Sequence, residues 1–322
     1  MKKSIHKAKE RTRQKLFDLI RPELEKVEDN RKNLYRAYIT RLYIVFFLAI
    51  SIILVLILVA LFMMSSDPLG VVLIPLIAAY LLIAWLNKLK PDAEEEITKS
   101  IGEIVIKTAH PEWDYFSDQC LAEENFDDLD LAHSLSLMDG ENLIAGKYKE
   151  TAFHISYYRP SKHNNKEKQV ETKLVLVFDF HKEVTGKTVV FPDFAQQLLG
   201  TWLGKEVQEL GWHGLELVYF EDHTFEKHYA VYSSDQIEAR YILTPSMMEG
   251  LVTMKAKYGY DFSFSFTGGK VCVAISGLPD YRNKLKDRVT PDGAYQNFYR
   301  PIEIAIDVIE TMNLNTRIWS KE

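Results

Sequence analysis

Two histidines and a glutamate, His223, Glu226 and His228, fall within one short stretch and could in principle share a metal ion. A zinc-hydrolase helix needs HExxH or HxxEH, so that both imidazoles reach the ion from one face. The spacing here is HxxExH, and His228 opens a predicted strand. The three are therefore read as exposed loop residues, and no metal or other cofactor is expected. Thr185-Gly186-Lys187-Thr188 has the ending of a phosphate-binding loop. The first glycine of GxxxxGK[ST] would fall at His181, and a strand-like VVF follows instead of a helix whose N-terminus could hold phosphate. A hairpin turn is the expectation there. The acidic run Glu123, Glu124, Asp127, Asp128, Asp130 lacks the order and central glycine of a calcium loop and reads as a solvated helix face. No GxSxG nucleophile elbow exists, and Cys120 and Cys272 lie far apart, in no metal spacing.

One cluster keeps two readings. Asp235, Glu238 and Arg240 could bind a ligand. Alternatively Asp235 caps a short helix with Glu238 at the capping-box position, and Arg240 pairs with a carboxylate.

The elements that position these groups begin with a membrane anchor. Residues 42–64 read LYIVFFLAISIILVLILVALFMM, without charge, Gly or Pro. As a helix they span about 34 Å, enough for a hydrocarbon core of about 30 Å. Residues 69–86, LGVVLIPLIAAYLLIAWL, form a second, shorter span that includes Pro75. The link 65–68 is Ser-Ser-Asp-Pro, which predicts a tight helical hairpin with both outer ends on one side. Arg41, Lys88 and Lys90 flank the outer ends and the turn has no Lys or Arg, so the positive-inside rule puts both termini in the cytoplasm, at a bacterial inner membrane. Arg41, Tyr43, Trp85 and Lys88 are the expected interface residues. The apolar run is too long for a cleaved signal peptide.

Charge divides the chain. Residues 1–41 hold 13 Lys and Arg against 6 Asp and Glu; the whole chain carries −6, so the remainder carries −13. An acidic domain does not suit nucleic acid. The basic arm has apolar residues Leu16, Phe17, Ile20, Leu24, Val27, Leu34 and Tyr38 at helical spacing, broken or restarted near Pro22. It packs on the soluble domain or a neighbouring subunit, adsorbs on anionic lipid, or stays disordered.

Residues 91–322 form the soluble domain. A helix over 93–109 leads into it. Strands are predicted over 152–158, 173–181, 187–191, 215–220, 228–232, 261–266 and 270–276. FSFSF-TGGK-VCVAIS is a hairpin signal, with Gly268-Gly269 supplying positive φ. Helices are expected over 194–210, from Thr244-Pro245 to Gly259, and over 302–312. The class is α+β: a helical arm, a transmembrane helical hairpin, and a mostly antiparallel sheet capped by helices, a pleckstrin-homology-like barrel being one version.

SSDQIEARYILTPSMMEGL (233–251), together with FSFSFTGGKVCVAIS, ENLIAGKYKETAFHISYY (141–158) and the run ending at Asp193, resembles a bacterial membrane family catalogued as domain of unknown function 3137. The resemblance extends over nearly the whole chain. It implies no activity or catalytic residues. Through neighbouring genes it implies a LemA-type membrane protein as partner. The expected function is a non-enzymatic interaction or scaffold module, tethered to the bilayer and capable of homo-oligomers, that binds protein or a lipid headgroup. The alternative is a membrane-bound hydrolase or transferase acting on a lipid or envelope precursor, which needs a concave polar pocket. A channel would need more polar groups in the spans than Ser51 and Tyr80.

Overall fold

The computed structural model describes residues 2–62, 77, 80, 93–121, 138–160, 172–180, 184–192 and 214–314. The second span, the 65–68 turn, Trp85, Lys88, the acidic run 123–130 and the helix expected over 194–210 lie outside the described residues. The chain divides into two compact units, residues 1–109 with 281–297, and residues 110–280 with 298–322.

In the first unit, α1 (Lys2–Phe62) is a single helix of 61 residues, with Pro22 inside it. The expected break is absent. Proline forfeits one intrahelical bond, and the buried Leu16, Ile20 and Leu24 hold the turns around it. At 1.5 Å per residue α1 is about 92 Å long. Its most apolar window has mean hydropathy 2.3 and is only 6% buried, so α1 is long and apolar enough to cross a membrane. Tyr43, Phe46, Phe47, Ile53 and Leu58 all stand exposed. A soluble core helix would bury such residues; lipid would solvate them. The long apolar helix thus has the makings of a membrane anchor.

The basic half of α1 is neither disordered nor unpartnered. Helix α2 (93–109) buries Ile97, Ile101, Val105 and Ile106 in the same unit. The segment 281–297 is tied along α1. Glu28 and Arg31 form a buried ion pair at 2.8 Å; Glu28 accepts the Val289 N–H, and Arg31 donates to the Leu285 carbonyl. Arg31 holds the Glu28 carboxyl below its ordinary pKa. From α2, Glu94 accepts the Leu285 N–H and the Thr98 hydroxyl oxygen accepts that of Asn283. Farther along, Arg13 pairs with Asp292 and lies over the rings of Phe17 and Tyr295. Thr290 caps the short α6 (Pro291–Ala294) through the Gly293 N–H.

Among the described residues the second unit has nine antiparallel strands. They are β1 (Asp114–Phe116), β2 (Met138–Tyr148), β3 (Thr151–Pro160), β4 (Lys173–Asp179), β5 (Thr188–Pro192), β6 (Glu216–Val218), β7 (Tyr229–Ser233), β8 (Asp261–Thr267) and β9 (Lys270–Ser276), in the order β1-β2-β3-β4-β9-β8-β5-β7-β6. Among the described residues β1 and β6 stand at the two ends of this order and do not pair with each other. The β8–β9 hairpin matches expectation: Thr267 pairs with Lys270 across Gly268 and Gly269, whose φ values are 53° and 73°. Phe262, Phe264 and Phe266 are fully buried on one face. On the other face Val175, Val177, Cys272 and Ala274 form a buried cluster with Leu121, Met138 and Tyr158.

Strands β1 and β2 were not expected. Strand β2 contains Gly140, Asn142 and Gly146, residue types that strands disfavour. The two glycines allow close packing. A Cβ at Gly140 would lie 2.5 Å from Cys120, and one at Gly146 would lie 2.8 Å from Trp113. Asn142 sits at a bulge with φ 59°, and its side-chain oxygen accepts the Tyr115 hydroxyl at 2.6 Å.

The remaining helices are α3 (His223–Glu226), α4 (Gln236–Ile242), α5 (Pro245–Tyr258) and α7 (Arg300–Thr311). Helix α5 opens with Thr244 capping the Met247 N–H and Pro245 in the first turn, and ends at Gly259 with φ 70°, as its sequence predicts. Met247, Met248, Leu251 and Met254 are buried. Helix α7 packs on β3, β4 and α5. Its Asp307 accepts the Tyr258 hydroxyl at 2.6 Å and pairs with Lys257, while Glu310 accepts from Tyr148 and Lys149.

Candidate functional site

The predicted trio Asp235, Glu238 and Arg240 sits on one short element, α4, at the β6 edge of the sheet. Strand β7 ends at Ser233, and the chain turns at once into α4. The Ser233 hydroxyl lies 2.8 Å from that of Thr188 on β5, while its oxygen accepts the Asp235 N–H. Asp235 caps the helix as expected, accepting the N–H groups of Ile237 and Glu238. The capping-box return bond is not made, because Ser233 already takes the Asp235 N–H.

Glu238 instead reaches the loop before β5. Its two carboxylate oxygens accept the Thr185 N–H and the Gly186 N–H, each at 2.8 Å. Lys187 N–H donates to Ser234 Oγ at 2.9 Å. The Thr185–Thr188 segment, expected to be a hairpin turn, joins β4 to β5, which are not paired with each other. Its amides hold a carboxylate of the chain itself.

Among the described residues Arg240 pairs with no carboxylate. It donates to the carbonyls of Gln236 and Tyr219 and lies 5.9 Å from the Phe220 ring. Gln236 in turn donates to Glu216 at 3.3 Å. The polar groups of α4 are thus spent on fixing backbone. Ala239 and Ile242 are buried, but two apolar residues of α4 face out, Ile237 at 82% and Tyr241 at 45% exposed, and Tyr219 after β6 is 71% exposed. Ile237 and Tyr241 stand one helical turn apart on the same side. A cavity of about 160 Å³ is lined by residues of β6 and β7 with Tyr219, Phe220 and Glu226, and by no residue of α4.

The HTFEKH stretch belongs to the same corner. Asp222 caps α3 through the N–H groups of Thr224 and Phe225, and Glu226 accepts the Phe220 N–H at 2.8 Å. Among the described residues no three His, Cys, Asp or Glu side chains gather as metal ligands. Of the expected interface residues, Arg41 and Tyr43 are exposed on α1. The exposed Tyr219, Ile237 and Tyr241 were missed by sequence reasoning. The signal was an isoleucine and a tyrosine four apart on a short capped helix.

Fold and surface together define an α+β protein with a long apolar N-terminal helix. The family described as Protein of unknown function (DUF3137) matches residues 172–314, from the start of β4 to just past α7, the α4 corner included. No curated protein matches the chain. Among solved structures the chain is similar to the mycobacterial trehalose monomycolate transport factor A, TtfA, at 12% identity and a TM-score of 0.39, over 68% of this chain and 95% of that one. Nothing about activity follows from a likeness of that size.

Proposed function

We propose that this chain is a non-enzymatic docking module held in the inner membrane of a bacterium. In this reading residues 42–64 and 69–86 form the hairpin anchor, with both termini cytoplasmic and with Arg41, Tyr43, Trp85 and Lys88 at the headgroups. The sheet unit presents its α4 corner to a protein partner; separately, family resemblance implies a LemA-type membrane protein as a partner of the chain, with no place on it assigned. The carrying observation is that Ile237 and Tyr241 face outward on a helix whose backbone is pinned by Asp235, Glu238 and Arg240, with the exposed Tyr219 held beside that helix through its carbonyl to Arg240. Rigid aromatic and aliphatic groups on a fixed frame suit recognition, because little entropy is lost on binding. Residues 214–242 carry six carboxylates against Lys227 and Arg240. That acidic setting favours a protein over an anionic headgroup.

Mild crosslinking in native membranes tests the docking role. Ile237→Asp should abolish the partner adduct captured by the wild type; an unchanged adduct pattern contradicts the reading. Reporter fusions after Glu322 and within 65–68 test the orientation, which periplasmic activity of the first would overturn.

A further inference from the structure

We infer that the α4 corner receives the N-terminal arm of a second copy of this chain. Such a contact presupposes the docking surface proposed above and adds the identity of its occupant.

Two described surfaces have reciprocal chemistry. The corner has an apolar centre of Tyr219, Ile237 and Tyr241 beside the exposed carboxylates of Glu216 and Glu221. On α1, Arg11, Lys15 and Leu19 follow at four-residue spacing on the side opposite the buried Leu16, Ile20 and Leu24. Leu19 is 64% exposed, and Arg11 and Lys15 beside it are exposed too. Among the described residues neither cation forms an ion pair. One surface is therefore an exposed leucine with two cations on its N-terminal side and Asp18 and Glu23 on the others; the other is a set of exposed apolar residues with Glu216 and Glu221 beside it and Arg240 behind. Such complementarity steers encounter and fixes register.

The continuity of α1 removes the competing partner for the arm. Because α1 runs unbroken from Lys2 to Phe62, Lys15 lies about 40 Å along the helix from Arg41. Charges in saline are screened beyond about 8 Å. Headgroups around the anchor are thus out of reach of Arg11 and Lys15. Copies anchored in one membrane share a plane and an orientation, which raises the local concentration of each surface around the other. The contact is heterologous, arm to corner, so each copy can both give and receive.

The test places a photoreactive benzoylphenylalanine at position 237 of the full-length chain in its native membrane. Irradiation should give a two-copy adduct, and peptide mapping should join position 237 to the segment around Lys15 and Leu19. Arg11→Glu with Lys15→Glu should cut the yield about fivefold, as should Glu216→Lys with Glu221→Lys, from the loss of two exposed charge pairs. A chain carrying both reversals should recover the adduct, which misfolding would not permit. An adduct with a different protein overturns the second-copy assignment and leaves the docking surface standing. An adduct with lipid, an adduct within one chain, or no adduct at all overturns both.

Discussion

The Glu238 carboxylate bridges the N–H groups of Thr185 and Gly186, 2.8 Å from each, and so fastens α4 to the loop entering β5. Glu238→Ala leaves two amides without an acceptor, and a buried donor stripped of its partner costs about 1–3 kcal/mol. The site is half-buried and water can partly substitute, so a loss near the lower end is expected. Glu238→Gln retains one carbonyl acceptor and should lose less. Gly186→Ala should destabilise as well, because its Cβ would sit 2.6 Å from the Glu238 carboxylate. Thermal melts of the three variants check the ranking.

The Glu28–Arg31 pair is the buried clasp between α1 and residues 285–289. Arg31→Met leaves Glu28 charged and unpaired, and a loss of about 3 kcal/mol is expected. The pH dependence has a definite sign. The pKa of Glu28 is lowered in the fold, mainly by its bond to Arg31. Its contribution is therefore complete above the ordinary carboxylate pKa of about 4.3 and fades as pH falls through the lower folded value. Acid unfolding of the wild type should show this loss, and Glu28→Gln should flatten it.

His110 stacks on Trp113 with ring centres 3.6 Å apart. Burial lowers its pKa, partly opposed by Glu112 at 3.3 Å. A histidine held neutral stabilises fully above its unfolded pKa of about 6.5 and loses that contribution as pH drops toward the folded value. Stability should decline between neutral pH and mild acid, and His110→Phe should reduce that slope, leaving the part due to His154, whose pKa burial also lowers. Melting temperature against pH for both proteins decides it.

Ile53 is half-exposed in the apolar stretch of α1. A lysine near the middle of a membrane helix costs about 2.5–3.5 kcal/mol on insertion scales. Ile53→Lys should shift chain from the carbonate-resistant membrane fraction to the soluble or degraded one. Unchanged retention would mean that α1 is not solvated by lipid.

Much of this architecture is local, and local physics is written in sequence. Thr244-Pro245 and Gly259 bracket α5 because a cap, a fixed φ and a left-handed residue act within one turn. FSFSF and VCVAIS pair across Gly268-Gly269 for the same reason, and Asp235 caps α4 where its sequence places it. The apolar run in α1 needs no partner to declare itself.

Distance in sequence hid the rest. Strand β2 was not predicted, because its glycines disfavour a strand until Cys120 and Trp113 occupy the space above Gly140 and Gly146. Glu238 finds amides more than fifty residues away instead of its own cap, and Arg240 finds the Tyr219 carbonyl instead of a carboxylate. Pro22 passes through α1 unbroken because buried neighbours hold the turns. Side-chain chemistry and local backbone preference were set by residue order. Which polar group satisfied which backbone, and so which apolar groups were left facing outward, was decided by packing between segments far apart in the chain.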